Sequence, residues 1–224
     1  MAEDEIIGWS VEGRPIHARR FGPDAPAALL VVAGVHGDEP STVEAAADLA
    51  GSVARSEIAC VPFWLVAALN PDGLFRGQKN SAHDVDLNRN FPARNFTSAH
   101  APGYSPGPSP LSEPETAALA ALLAREAITR IVAVHAPFAC VNYDGPAQPW
   151  AQAVSAACGW PVQADIGYPT PGSLGSWWGR DRTLPILTLE LPPGPFSGFR
   201  LPGRAALAAS VAEPGSAMNP SRMR

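Results

Sequence analysis

With 224 residues, 46% of them hydrophobic and 17% charged, the chain is long enough to bury a substantial core, which excludes wholesale disorder. A formal net charge of -5 supplies no basic stripe to neutralise a phosphate backbone, which sets nucleic acid aside as a partner. The acidic opening Met1-Ala2-Glu3-Asp4-Glu5 is unlike a secretory leader, and no stretch is apolar for the length a bilayer requires, so the expectation is a cytoplasmic protein that does not enter membranes.

In chain order, Ala27 to Ala33 is a continuous apolar run ending at Gly34, the pattern of a strand buried on both faces. The loop Gly34-Val35-His36-Gly37-Asp38-Glu39-Pro40 follows. Ser41 to Val53, rich in alanine, predicts a helix, and the apolar run Ile58 to Leu69 predicts a second strand. Asn70-Pro71-Asp72-Gly73 reads as a turn closing that strand, because proline presets one central dihedral and glycine relieves the other. From there to about Leu111 the chain is polar and rich in Gly, Pro, Asn and Ser. A long irregular segment of that kind is usually kept for an active site.

Ser112-Glu113-Pro114-Glu115 has the form of a capping box ahead of an alanine and leucine run to Arg125. Ile131 to His135 is a short strand delivering a histidine at its end. A helix is expected over Pro149 to Cys158, a Gly- and Pro-rich loop over Ile166 to Arg182, and a buried strand over Pro185 to Leu191 that carries Glu190. A last helix follows Leu201, then a disordered tail from about residue 213. Strand, loop, helix and strand in this order imply an α/β sheet, and with no domain boundary visible the chain reads by default as a single domain, residues 1–224.

Three cysteines, Cys60, Cys140 and Cys158, are odd in number and include no Cys-x-x-Cys pair, which argues against a disulfide framework and against a thiolate zinc site. All three read as buried thiols. A nucleophilic Cys140, five residues beyond His135, is the competing reading, and it requires a base near in space rather than in sequence.

His36 and Glu39 stand three residues apart in a loop between a buried strand and a helix, where an imidazole and a carboxylate can address one ion. Hydrolytic zinc sites commonly take two histidines and one carboxylate and keep a fourth position for water. His135 is the best third ligand, since open α/β sheets collect ligands at the carboxyl ends of their strands; His17 and His100 have no such setting. The blander alternative is a loop whose Asp38 and Glu39 only charge the start of the following helix.

The segments Gly34-Val35-His36-Gly37-Asp38-Glu39, Asn70-Pro71-Asp72-Gly73, Val85-Asp86-Leu87-Asn88-Arg89-Asn90-Phe91-Pro92, His135 and Leu189-Glu190, in this order, resemble the zinc carboxypeptidases. Gly167 to Trp177 is similar to a segment of the murein peptide amidase subgroup, which cuts the γ-D-glutamyl to diaminopimelate bond of cell-wall peptides. The resemblance implies a central mixed, mostly parallel sheet flanked by helices, and one Zn2+ per chain held by His36, Glu39 and His135. It also implies Glu190 as general base and Asn88 and Arg89 as the holders of a free substrate carboxylate.

The chain departs from the pattern in three places. Lys79 stands where the family has an arginine that steadies the oxyanion, with Arg76 three residues earlier as the alternative. His83 and Asp84 replace an Asn and a Gly of the subgroup, and Ala136 replaces an Asp. The expected function is zinc-dependent hydrolysis of murein peptides in cell-wall recycling, on a small peptide that carries a free carboxylate. An N-acyl amino acid deacylase of the succinylglutamate desuccinylase and aspartoacylase type is the alternative, and a zinc-binding protein that has lost turnover is a third. Arg180 and Arg182, beside Trp177-Trp178, are candidate specificity residues.

Overall fold

The structure, a computed structural model, describes residues 4–212, so the expected disordered tail from residue 213 lies outside the described residues. Its strands are β1 (Asp4–Trp9), β2 (Pro15–Phe21), β3 (Leu29–Val32), β4 (Phe63–Val66), β5 (Arg130–His135), β6 (Cys140–Asp144), β7 (Val162–Gln163) and β8 (Ile186–Glu190). Its helices are α1 (Pro40–Ala54), α2 (Pro71–Arg76), α3 (Pro114–Arg125), α4 (Gln148–Cys158) and α5 (Arg200–Val211).

All eight strands join one sheet in the order β1-β2-β4-β3-β5-β8-β6-β7. The four central strands β4, β3, β5 and β8 run parallel. Antiparallel pairings bring in β2 on one side and β6 on the other. The expected mixed, mostly parallel α/β sheet is therefore what the chain forms.

The central strands are apolar on both sides because both faces are covered. Val31, Val132, Leu187 and Leu189 pack with Leu49 of α1, Val154 of α4 and Leu207 of α5. On the opposite face Leu30, Val32, Ile131 and Ile186 meet Leu119 and Leu122 of α3 together with Phe91, Trp177 and Trp178. Leu30 is fully buried, and cutting it back to alanine would cost about 2–5 kcal/mol by the usual cavity penalty.

Local structure departs from the sequence expectations in instructive ways. The second predicted strand, Ile58 to Leu69, shortens to Phe63–Val66, since Pro62 lacks the N–H a central ladder needs. The Asn70-Pro71-Asp72-Gly73 turn is the opening of α2: Asn70 accepts from the Gly73 N–H at 2.8 Å as its cap, and Pro71 takes the first helical position. The capping box before α3 does not form, because Glu113 occupies the cap position and makes no side-chain cap bond. Instead the Ser112 hydroxyl accepts from Asn90 at 2.9 Å and donates to Glu113 at 3.2 Å.

The loop expected over Ile166 to Arg182 contains a π-helical stretch, Gly175–Asp181. Strands β1, β2, β6 and β7 were not anticipated. β2 alternates buried Ile16 and Ala18 with exposed His17 and Arg19, and β6 carries Asn142 and Asp144, so neither presents the continuous apolar run that marks the centre of the sheet.

Candidate metal centre and active site

β3 lies between β4 and β5, so the chain leaves β3 in one direction across the sheet and returns on its other side. That reversal opens a crevice at the carboxyl ends of β3 and β5. The loop after β3 enters it and is strapped in place: the Thr42 hydroxyl accepts from the Gly34 N–H at 3.1 Å and donates to the Glu39 carbonyl at 2.7 Å. Gly37 sits against the backbone of Gly73 so closely that a methyl group there would collide with it. The two glycine-containing motifs, far apart in the chain, are thus the two sides of one backbone contact.

Within this frame His36 and Glu39 meet His135 from the end of β5. One ligand atom from each of the three lies within 4.8 Å of the others. Nδ1 of His36 is 2.8 Å from Oε1 of Glu39, and Nδ1 of His135 is 3.3 Å from Oε2. Burial disfavours charge on both partners, yet their contacts outweigh it. His36 is pushed up to about 9, held there by Asp86 and Glu39, and Glu39 is held down at about 2, chiefly by His135.

Asp86 anchors the other side of His36, one oxygen lying 3.0 Å from Nε2 while the other accepts from Lys79 Nζ at 2.8 Å. A ring that gives its Nε2 proton to Asp86 presents the Nδ1 lone pair to an ion, which is how metal-bound histidines are usually oriented. Two imidazoles and a carboxylate converging on one point, with an orienting carboxylate behind, fit zinc.

Glu190 ends β8 directly opposite His135 in the ladder. It is 4% exposed, and its Oε2 has no hydrogen-bond partner among the described residues. Burial raises its proton affinity, and Glu39 adds to that against the pull of His135. A buried carboxyl oxygen without a partner is costly, which is expected where the partner is something that binds.

These groups line one cavity of about 620 Å³, together with Lys79, Asn88, Arg89, Tyr104, Phe138 and Tyr168. Asn88 accepts from the Leu174 N–H at 3.0 Å through its Oδ1, which leaves its NH2 as a donor. Arg89 is buried and donates to the Asn88 carbonyl at 2.7 Å. Lys79 lies over the ring of Tyr104. Arg76 instead forms an ion pair with Glu12 outside the cavity.

The remaining sequence candidates fall away from this centre. His17 pairs with Asp4 at the surface, His100 contacts the Ala101 carbonyl, and His83 contacts Glu113. Arg182 lies over Trp177 and Trp178. The three thiols are free and at least partly buried. Burial, with Glu190 adding its charge, pushes Cys140 up to about 11, the wrong direction for a nucleophile. At the cavity Tyr168 meets Tyr104 and Phe138, with ring centroids 6.5 and 6.2 Å away. The segment holding Tyr168 carries the subgroup resemblance, but none of the three rings has a role legible from sequence, because aromatic residues scattered over loops carry no spacing signal.

The family profile described as zinc carboxypeptidase matches residues 1–171. The chain belongs to the zinc carboxypeptidase family. Among zinc carboxypeptidase relatives, murein peptide amidase A of Escherichia coli strain K12 is 36% identical over 209 residues, covering 84% of this chain and 81% of that protein. Murein peptide amidase A of Vibrio campbellii is 33% identical over 199 residues, covering 83% and 78%. The crystal structure of murein-tripeptide amidase from Escherichia coli O157 superposes with a TM-score of 0.73 at 30% identity, over 92% of this chain and 90% of that one. Thrombin activatable fibrinolysis inhibitor, at 20% identity and a TM-score of 0.80 over 94% of this chain and 70% of that one, shares the zinc carboxypeptidase fold. Among the described residues no helix is long and apolar enough to cross a membrane.

Proposed function

We propose that the protein is a murein peptide amidase that hydrolyses the γ-D-glutamyl to meso-diaminopimelate bond, in the cytoplasm, during recycling of cell-wall peptides. The observation that carries this reading is the convergence of His36, Glu39 and His135 beside the unpartnered carboxyl oxygen of Glu190, in a chain similar over most of its length to murein peptide amidases.

His36, Glu39 and His135 would hold one zinc ion. When bound, the ion supplies Lewis acidity for the scissile carbonyl and the attacking water. Glu190 takes the proton of that water at its free oxygen and returns it to the departing amine nitrogen; its burial raises its proton affinity toward what a general base at neutral pH requires. Lys79 gives positive charge to the developing oxyanion, as a point charge rather than the planar fork an arginine would offer. Arg89 and the NH2 of Asn88 hold the free carboxylate of the substrate.

The deacylase reading has no comparable support, since the similarity to murein peptide amidases extends over four-fifths of the chain. Turnover of L-Ala-γ-D-Glu-meso-diaminopimelate by zinc-loaded protein, set beside N-succinyl-glutamate, tests the proposal. Cleavage of the first alone is expected. Preference for the second would replace the reading with a deacylase, and no cleavage of either would leave a binding protein.

A further inference from the structure

The cavity continues past Glu190 to a charged pair that the hydrolysis above does not use. In the antiparallel ladder of β6 and β8, Glu190 faces Cys140, Thr188 faces Asn142, and Ile186 faces Asp144. Asn142, Asp144 and Thr188 all line the cavity. Asp144 therefore stands four strand residues from the general base, roughly 13 Å along the ladder at about 3.3 Å per residue. Both carboxylates line the one cavity, so a leaving-residue side chain that runs from Glu190 along this wall arrives at Asp144.

At this end Arg180 donates its Nε to Asp144 Oδ1 at 2.7 Å. The contact is made by one edge of the guanidinium, so both terminal nitrogens of Arg180 and Oδ2 of Asp144 have no hydrogen-bond partner among the described residues. Asp144 lies against the π-helical stretch at Gly175 and Gly179, where a methyl group on either would collide with it. The backbone has thus been cleared to seat this carboxylate. Asp144 is 13% exposed by side chain and Arg180 is 56% exposed, which puts the acid at the wall and the base toward the opening.

We propose that Asp144 and Arg180 form the subsite for the far end of the leaving residue's side chain, and that this end is an amino acid head, with an ammonium and a carboxylate on one carbon. Asp144 takes the ammonium and Arg180 takes the carboxylate with its free terminal nitrogens. A side chain ending in a cation alone meets Arg180, and one ending in an anion alone meets Asp144, so either is opposed by one member of the pair. The inference rests on the amidase reading and deepens it, since diaminopimelate has such a head where lysine has only the ammonium. Arg182, held over Trp177 and Trp178, has no part in it.

The test compares two tripeptides that differ in the leaving residue, meso-diaminopimelate or L-lysine, with wild-type protein, Arg180→Met and Arg180→Lys. Calorimetric binding of free meso-diaminopimelate and free L-lysine to the same three proteins provides a readout independent of turnover. Arg180→Met is expected to lower kcat/KM on the diaminopimelate peptide about tenfold or more and to raise it on the lysine peptide by up to about threefold, because the opposing charge is gone. Arg180→Lys should retain part of the preference. In the binding arm the wild-type preference for free diaminopimelate should vanish with Arg180→Met.

If both peptides go uncut while the binding preference is present and depends on Arg180, the subsite stands and the amidase reading falls. If the diaminopimelate peptide is cut but Arg180→Met keeps the wild-type preference, the subsite falls and the amidase reading stands. Wild-type protein that binds the two free amino acids equally overturns the subsite in either case.

Discussion

Asp86 and His36 are joined across 3.0 Å on the side of the ring turned away from Glu39. Asp86 is fully buried. Its burial works against its charge, but the contact with His36, then Arg89 and Lys79, holds its carboxyl well below the usual carboxylate range. The pair fixes which nitrogen of His36 is available to an ion, so Asp86 acts on the metal centre without touching it.

Replacing Asp86 with Asn should therefore weaken zinc binding by about 10–100-fold, the usual cost of losing a ligand's orienting partner. Competition against a chromophoric chelator measures this. An affinity equal to wild type would mean that His36 is oriented by the loop alone.

Glu190→Gln is expected to leave zinc content unchanged and to lower kcat by about 10²–10⁴-fold, the range for loss of a general base. His36→Ala should lose the metal itself. Elemental analysis beside turnover separates the two effects. Near-normal activity of the Gln variant would remove Glu190 from the chemistry.

Lys79 lines the cavity and Arg76 pairs with Glu12 outside it. Lys79→Ala should accordingly reduce kcat by about 10²-fold, as expected for loss of an oxyanion donor, while Arg76→Ala stays within about twofold. The reverse result would transfer the oxyanion role to Arg76.

A fourth expectation concerns stability away from the site. Glu115 is fully buried, its Oε1 accepts a 3.3 Å bond from the Val11 N–H, and its Oε2 has no hydrogen-bond partner among the described residues. Burial, reinforced by the neighbouring charges of Glu113 and Asp72, pushes its carboxyl up to about 7. The folded state then binds this proton between about pH 4.5 and 7 where the unfolded chain has released it. The contribution of Glu115 to stability is greatest below that window and is lost as pH rises through 7. Glu115→Gln should thus gain on wild type with rising pH, by on the order of 3 kcal/mol above pH 8 compared with pH 4.5. Urea unfolding of both proteins at the two pH values measures the difference. A constant offset would show that Glu115 titrates as an ordinary carboxylate.

Much of the centre was legible in one dimension because it is made of short motifs held by strong local chemistry. The histidine and glutamate three residues apart, the histidine ending an apolar strand, and the glutamate interrupting another are each visible as residues. The four central strands were visible for the same reason, as apolar runs that must be covered on both faces. β6 was not, since its cavity-facing residues Asn142 and Asp144 erase the apolar pattern. The capping box before α3 misled because the Ser112 hydroxyl is taken by its neighbour Glu113 and by Asn90, and the Asn90 contact exists only after the intervening loop has folded back.

What the amino-acid sequence by itself determined was the four central strands, the main helices between them and the kinds of side chain that would meet, since hydrophobic periodicity and donor chemistry are properties of residues in a row. Which side chains actually meet was decided by the tertiary structure. Only the reversal of strand order at β3 brings His36 and His135 to one carboxylate. Only the packing of the irregular segment puts Lys79 inside the cavity and Arg76 outside it. Only the pairing of β6 with β8 sets Asp144 in line with Glu190. The reason is that electrostatic and hydrogen-bond contacts act over a few ångströms in space, and separation along the chain places no limit on which groups the fold brings that close.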